Sequence, residues 1–317
     1  MASKLLSRDQ SRIGQFICII LVLIHHWSQI SELNGIVLIF SPFKYIGGCA
    51  CCGFFFFSGY GLYESYKKNV KSFKRQFIRK RFSKVLVPFI FSCIIYYFIW
   101  IFRAKQNFTF SNFFLSALGL NLEVNGHFWF MQFLILLYIS LYFSVLFVKE
   151  EKKQIILLIV ANILLIVLLG RSCGYLSSLG FSIGIVASHT NSDKNMKFEK
   201  KTLFCALGAF LICYYFAFYE NIFFKFTFTL SLIAFLPLLV WSSKKIKASI
   251  FLLWLSGYSY YFYLTNALAL IVYIYILNKN IFGLMVYLAF NVLLGVFLKI
   301  SINLFSNIIS YFKISKE

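Results

Sequence analysis

Two adjacent histidines, His25 and His26, close the apolar run Ile20-Leu21-Val22-Leu23-Ile24. Imidazole is the side chain best matched to taking a proton from a hydroxyl near neutral pH. An ionisable group inside a membrane-length segment costs free energy, which makes the pair a functional candidate. The bland alternative is an interfacial pair beside Trp27 that hydrogen-bonds headgroups and water. Counted from Arg12, His26 lies about 21 Å along a helix axis. At about 100° per residue, Arg12, Gln15, Ile19 and His26 share one face, and His25 points about 100° away from it. A cation, an amide and an imidazole thus form one stripe, and this geometry favours His26 over His25 as a general base. The ten Asp and Glu residues lie in polar gaps or at segment ends. Two-carboxylate and carboxylate–metal chemistry therefore find little support, and no metal is expected.

The elements that must position these groups are membrane helices. Hydrophobic content of 61% and mean hydropathy of +0.81 exclude a soluble domain of this length. About ten apolar segments approach the roughly 20 residues of a spanning helix. They are 12–31, 35–63, 85–103, 127–148, 154–170, 174–189, 202–219, 222–241, 249–277 and 281–312. Segment 174–189 is short and rich in Ser and Gly. Segment 35–63 is overlong and broken by Pro42, Gly47 and Gly48, which suggests a short entering piece followed by a proper span. The expectation is an all-α polytopic membrane protein, one integral-membrane domain over 1–317, its first segment a retained anchor rather than a cleaved leader.

Charge sets the orientation. Of 31 Lys and Arg residues, 24 lie in every second gap, the densest run being the nine from Lys67 to Lys84. The intervening gaps hold only Arg103, Lys105, Arg171, Lys225 and Lys279. Short Lys/Arg-rich loops stay cytoplasmic, so both termini face the cytoplasm. The net charge of +21 follows this topology and points to anionic lipid headgroups as partners, not to nucleic acid. The eight cysteines read as small thiols packed between helices rather than as a disulfide or metal framework. The aromatic content, mostly Phe, reads as lipid-facing bulk and interfacial anchoring.

Four further patches carry polar groups: Gly53 to Tyr60, Arg79 to Pro88 and Asn125 to Phe130 at segment ends, and Gly257 to Asn266 crossing the ninth segment. In order and spacing these patches, with the histidines, resemble the integral-membrane acyltransferase-3 family. Its first span ends in a hydrophobic run and His, as at Ile20 to His26. A Phe-Phe-x-x-Ser-Gly-Tyr pattern is matched by Phe54 to Tyr60. A Lys-Arg-x-x-Arg-hydrophobic-Pro stretch is matched by Lys80, Arg81, Lys84 and Pro88. His-x-Trp-Phe is matched by His127, Trp129 and Phe130, and Ser-Tyr-x-x-Tyr-Leu by Ser259, Tyr260, Tyr263 and Leu264. The chain departs from the pattern where members commonly carry Arg or Lys eleven residues before the histidine; Gln15 precedes His26 and Gly14 precedes His25 at that interval. It departs again at Asn266, where many members carry His.

The resemblance implies a membrane O-acyltransferase of the cytoplasmic membrane. Its donor would be acyl-CoA, usually acetyl-CoA, and its acceptor a hydroxyl on an extracytoplasmic or lipid-linked glycan. The CoA phosphates would meet Arg79, Lys80, Arg81 and Lys84, and the thioester would lie along Arg12, Gln15 and His26. His26 would take the acceptor proton or carry the acyl group. Ser58, Tyr60, His127, Trp129, Tyr260, Tyr263 and Asn266 would line the pocket. Two other readings stand beside this one: a polytopic transporter or glycan flippase, and a catalytically inactive family member. The charge asymmetry makes its own prediction, that loops 64–84, 149–153 and 244–248 are cytoplasmic and loops 104–126 and 220–225 are external. A cysteine introduced at position 75 should resist impermeant thiol reagents added outside intact cells; labelling there would overturn the map.

Overall fold

The computed structural model describes residues 5–31, 41–105, 107–118, 120, 124, 126–170, 173–190, 199–218, 223–276 and 281–314. Residues 35–40, Asn125, Arg171 and Lys279, named above, lie outside them. The described residues form helices joined by turns and short irregular stretches, without strands, and eight of the helices are long and apolar enough to cross a membrane. The protein is an all-α polytopic membrane protein. Helices are forced here, because hydrocarbon offers no partner to an unpaired backbone N–H or carbonyl.

The chain forms two compact units. The first comprises Met1–Gln29, Val37–Phe77 and Phe130–Ser256; the second comprises Ile30–Ile36, Ile78–Trp129 and Gly257–Glu317. The first unit is built around α1 (Arg8–Ser31) and α2 (Ile46–Lys68), followed by α3 (Val70–Arg81), whose last turn belongs to the second unit. The second unit then holds α4 (Val87–Ala104) and α5 (Phe110–Ala117). The chain returns to the first unit with α6 (Trp129–Phe147), α7 (Glu151–Leu169), α8 (Leu179–Thr190), α9 (Lys200–Phe218), α10 (Phe224–Lys245) and α11 (Ile250–Ser256). It ends in the second with α12 (Ser259–Ile276) and α13 (Ile281–Ile314).

Segment 174–189 is not a full-length span. It opens as a 3-10 turn, Cys173–Ser178, and continues as the 12-residue α8, about 18 Å of helix against a hydrocarbon core of about 30 Å. Irregular backbone at such depth is tolerable only when protein satisfies it. Asn162 of α7 does so: its Nδ2 donates to the Ser178 carbonyl and to Ser182 Oγ, both at 2.9 Å, and its Oδ1 accepts from Ser178 Oγ at 2.8 Å. Ser177 Oγ donates to the Gly48 carbonyl of α2 at 2.9 Å.

Small residues bring α2 and α8 into backbone contact. A Cβ on Gly180 would stand 2.1 Å from the Cys52 carbonyl oxygen, one on Gly184 2.2 Å from that of Phe56, and one on Gly59 2.2 Å from that of Phe181. Lipid tails are as apolar as leucine, so close van der Waals contact of this kind is what drives helices together in a bilayer. The far ends are locked by polar contacts. Ser188 Oγ donates to Glu64 Oε1 at 2.7 Å, and Lys67 pairs with the same oxygen at 2.7 Å. Around this seam pack the wholly buried Trp27, Phe55, Tyr63, Phe133 and Phe181. By contrast α7 and α9 expose apolar flanks such as Ile156, Val167, Phe204 and Ile212, as lipid-facing helices require.

The seam is directly testable. Gly184→Val should cost about 1–3 kcal/mol, the usual price of overpacking a tight contact, read as a lower thermal midpoint in detergent. Gly208→Ala, with nothing within 4 Å of the added methyl, should be neutral or slightly stabilising. Equal midpoints for the two variants would remove the backbone seam as the source of stability.

Candidate functional site

In the first unit, α1 meets α2 in antiparallel register. A Cβ on Gly14 would come 2.0 Å from Phe57 Cζ, one on Gly53 2.5 Å from Cys18 Sγ, and one on Gly47 2.2 Å from His25 Cδ2. Gly14, Cys18 and His25 lie within about 40° of one another on the α1 wheel, and this is the face that α2 covers. The missing side chain of Gly47 is the space in which the His25 ring sits. His25 Nδ1 is 3.3 Å from the Phe43 carbonyl oxygen, and its Nε2 is 3.3 Å from Gln29 Nε2. A carbonyl can only accept, so the proton is assigned to Nδ1, and Nε2 carries the lone pair and accepts from the Gln29 amide. The turn that presents Phe43 is itself pinned by Tyr214 of α9, whose hydroxyl donates to the Pro42 carbonyl and accepts from Tyr45 N–H.

His26 is half-buried, its ring centroid 5.0 Å from that of His25. Arg12 and Gln15 are half-buried too, on the His26 face, and neither has a hydrogen-bond partner among the described residues. Ser58 Oγ lies 3.0 Å from Tyr138 Oη of α6. Tyr60 is buried as a tie, its hydroxyl accepting from Leu6 N–H at 3.0 Å and donating to the Leu6 carbonyl at 3.4 Å. It holds the chain just before α1.

In the second unit, the basic stretch ends α3 and enters a π turn, Phe82–Leu86, where Val87 N–H donates back to the Phe82 carbonyl. Pro88 follows; it has no N–H to give Lys84, and its ring crowds that carbonyl, so the wider turn relieves a clash that a regular helix would keep. Arg79, Lys80 and Lys84 are exposed and Arg81 is half-buried. Tyr260 Oη donates to the Val85 carbonyl within the π turn at 2.8 Å, which ties the first turn of α12 to this stretch. Tyr263 Oη donates to the His127 carbonyl. His127 and Trp129 are half-buried. Asn266 is 2% exposed, and its Oδ1 accepts from Tyr287 Oη of α13.

The structure thus sets His25 beside His26 on α1, Ser58 beside Tyr138, and Tyr260, Tyr263 and Asn266 on one helix, where each of the three side chains meets a named partner. Arg12 and Gln15 share α1 with the histidines, but no contact joins them among the described residues. Reading the sequence missed several participants. Lys299 lies inside an apolar block, yet its Nζ stands 3.8 Å from the centroid of the Tyr258 ring and 3.4 Å from the Gly257 carbonyl oxygen. A lysine within a span was signal enough to find it. Tyr287 and Tyr138 carry no such signal, since one tyrosine among many has no distinguishing spacing.

Two short patterns also went unread. Gly180-Phe181-Ser182-Ile183-Gly184 has Gly-x-Ser-x-Gly spacing, but it lies at the start of α8, with both glycines against the α2 backbone and Ser182 bonded to Asn162. A nucleophile elbow needs a strand-to-helix turn; here the glycines serve packing. Cys49 and Cys52 stand at Cys-x-x-Cys spacing and are wholly buried free thiols on α2.

No curated protein and no solved structure matches the chain. A family model described as "Acyltransferase domain" matches residues 12–304, nearly the entire sequence and every motif above. With its all-α polytopic fold, the chain belongs to the acyltransferase-3 family and is a membrane acyltransferase.

Proposed function

We propose that this acyltransferase moves an acetyl group from cytoplasmic acetyl-CoA to a hydroxyl of an extracytoplasmic or lipid-linked glycan, working in the cytoplasmic membrane with a first-span histidine as general base. The observation that carries the reading is the setting of His25: one ring nitrogen held by a backbone carbonyl, and the lone pair of the other directed to the Gln29 amide, which an acceptor hydroxyl would displace. That is how a base is kept in one tautomer. In the reaction, the imidazole takes the acceptor hydroxyl's proton as the oxygen attacks the thioester carbonyl. The tetrahedral oxyanion collapses, the carbon–sulfur bond breaks, and the imidazolium returns its proton to the leaving thiolate. The products are an O-acetyl ester and free CoA.

Helix-face geometry alone favours His26, and a specific observation keeps that second reading: Arg12 and Gln15, on its face, are half-buried without hydrogen-bond partners among the described residues. The wheel gives angles but not which face a neighbour covers, and α2 covers that of His25. His25→Ala should lower transfer by about 10²–10⁴-fold, the usual worth of a positioned base, while His26→Ala costs less. The reverse ranking assigns the base to His26, and full activity in both variants would remove histidine chemistry altogether. Mass spectrometry of surface glycans with and without the gene tests donor and acceptor together, since an acetyl-sized difference identifies both.

The basic stretch would hold the CoA phosphates, where charge and the forked donors of Arg matter most. Replacing Arg81 and Lys84 together with Gln should raise the KM for acetyl-CoA about tenfold and weaken its salt dependence, with insertion preserved by the seven cations that remain in the run from Lys67 to Lys84. An unchanged donor KM would leave these residues to topology alone.

A further inference from the structure

The middle of α12 is held by a dense polar core within the second unit. Tyr96 of α4 places its hydroxyl at the Leu264–Leu268 rung, accepting from Leu268 N–H at 2.9 Å and donating to the Leu264 carbonyl at 3.0 Å. Ser92 Oγ donates to the same carbonyl at 3.2 Å. From α13, Asn291 Oδ1 accepts from Thr265 Oγ1 at 2.8 Å, and Asn291 Nδ2 donates to the Phe262 carbonyl at 3.2 Å. Ser92, Tyr96, Thr265, Asn291 and Tyr287 are all buried. In hydrocarbon, a polar core survives only when its members satisfy one another.

Asn266 is the exception. Its Oδ1 accepts from Tyr287 Oη, and its Nδ2 donates to nothing among the described residues. Tyr287 makes no other hydrogen bond among them. Reversing the amide would leave the tyrosine proton without an acceptor, so the orientation that satisfies Tyr287 is the one that leaves both amide N–H donors open. A 2%-exposed amide with two open donors is costly in an apolar interior, and the neighbouring polar groups show that this helix otherwise avoids the cost.

We propose that the Asn266 amide is a substrate contact, and that Tyr287 is the residue that positions it. The partner is an acceptor oxygen, since the open edge of the amide offers only N–H donors. Within the acetyl-transfer reading, on which this inference rests, such oxygens are the thioester carbonyl of the donor and the hydroxyls of the glycan. Tyr287 acts through Asn266 by fixing which edge of the amide faces the ligand.

The test uses the full-length protein in nanodiscs, with acetyl-CoA and an acceptor glycan as probes. Tyr287→Phe removes one oxygen and frees the amide to turn. The double variant Asn266→Leu/Tyr287→Phe removes both partners of the pair at nearly constant volume, which preserves folding better than removing one; equal thermal midpoints confirm it. The double variant should raise one KM by about tenfold, the size of one neutral hydrogen bond, with kcat changed less. Tyr287→Phe should raise the same KM by a smaller factor. A shift in the acetyl-CoA KM makes the ligand the thioester carbonyl, and a shift in the acceptor KM makes it a glycan hydroxyl. Kinetics unchanged in both folded variants, beside an active wild type, would overturn the Asn266–Tyr287 assignment alone. A wild type that turns over no acetyl-CoA would overturn the acetyl-transfer reading as well.

Discussion

Several backbone groups among the described residues answer one constraint, that a polar group of the chain must not go unpaired in hydrocarbon. The 3-10 entry to α8 is closed by Asn162, Ser177 and Ser178. The π turn that Pro88 imposes after α3 is met by the Tyr260 hydroxyl. The Leu264–Leu268 rung of α12 is engaged by Tyr96 and Ser92. Side chains spent in this way are unavailable for packing, so a membrane helix departs from regularity only where something is gained. One such departure, the π turn, falls inside a stretch that carries the family's motifs.

The same constraint explains why glycine, more than any charged residue, shapes the first unit. Close approach of α2 to α8 and to α1 needs positions without a Cβ, and the contacts at Gly180, Gly184, Gly53 and Gly47 supply them. Gly47 does more than let helices touch. It leaves the volume that an imidazole fills, and the turn before it turns a carbonyl toward that ring. A histidine in a span thereby gains a fixed tautomer without any buried carboxylate, which would itself need a partner.

The fold was largely legible because its determinants are compositional. Apolar length marks a span and loop charge marks its direction, and both survive without knowledge of neighbours. What failed was depth: 174–189 has the composition of a span and half the helix, because its Ser and Gly residues serve contact with α2 rather than lipid. The candidate site was legible in its motif residues and not in their partners. His25, Ser58, Tyr260 and Asn266 were visible as polar groups in apolar surroundings, whereas Phe43, Tyr138, Val85 and Tyr287 contribute a backbone carbonyl or one tyrosine among many. The wheel separated His25 from His26 by angle, but only the packed neighbour tells which angle points into protein.

In the proposed reaction, Asn266 and the histidines differ in what their side chains can do. An amide neither gains nor loses a proton in the accessible range, so it holds an oxygen without competing for the proton that the reaction moves. The polar groups around it on α12 are likewise hydroxyls and amides, Thr265, Asn291, Tyr96 and Tyr287. Proton transfer near neutral pH calls for an imidazole, and the motif residues supply three, His25, His26 and His127. Under the proposed mechanism, Asn266 would leave the acid–base work to a histidine elsewhere and give the late helix to recognition.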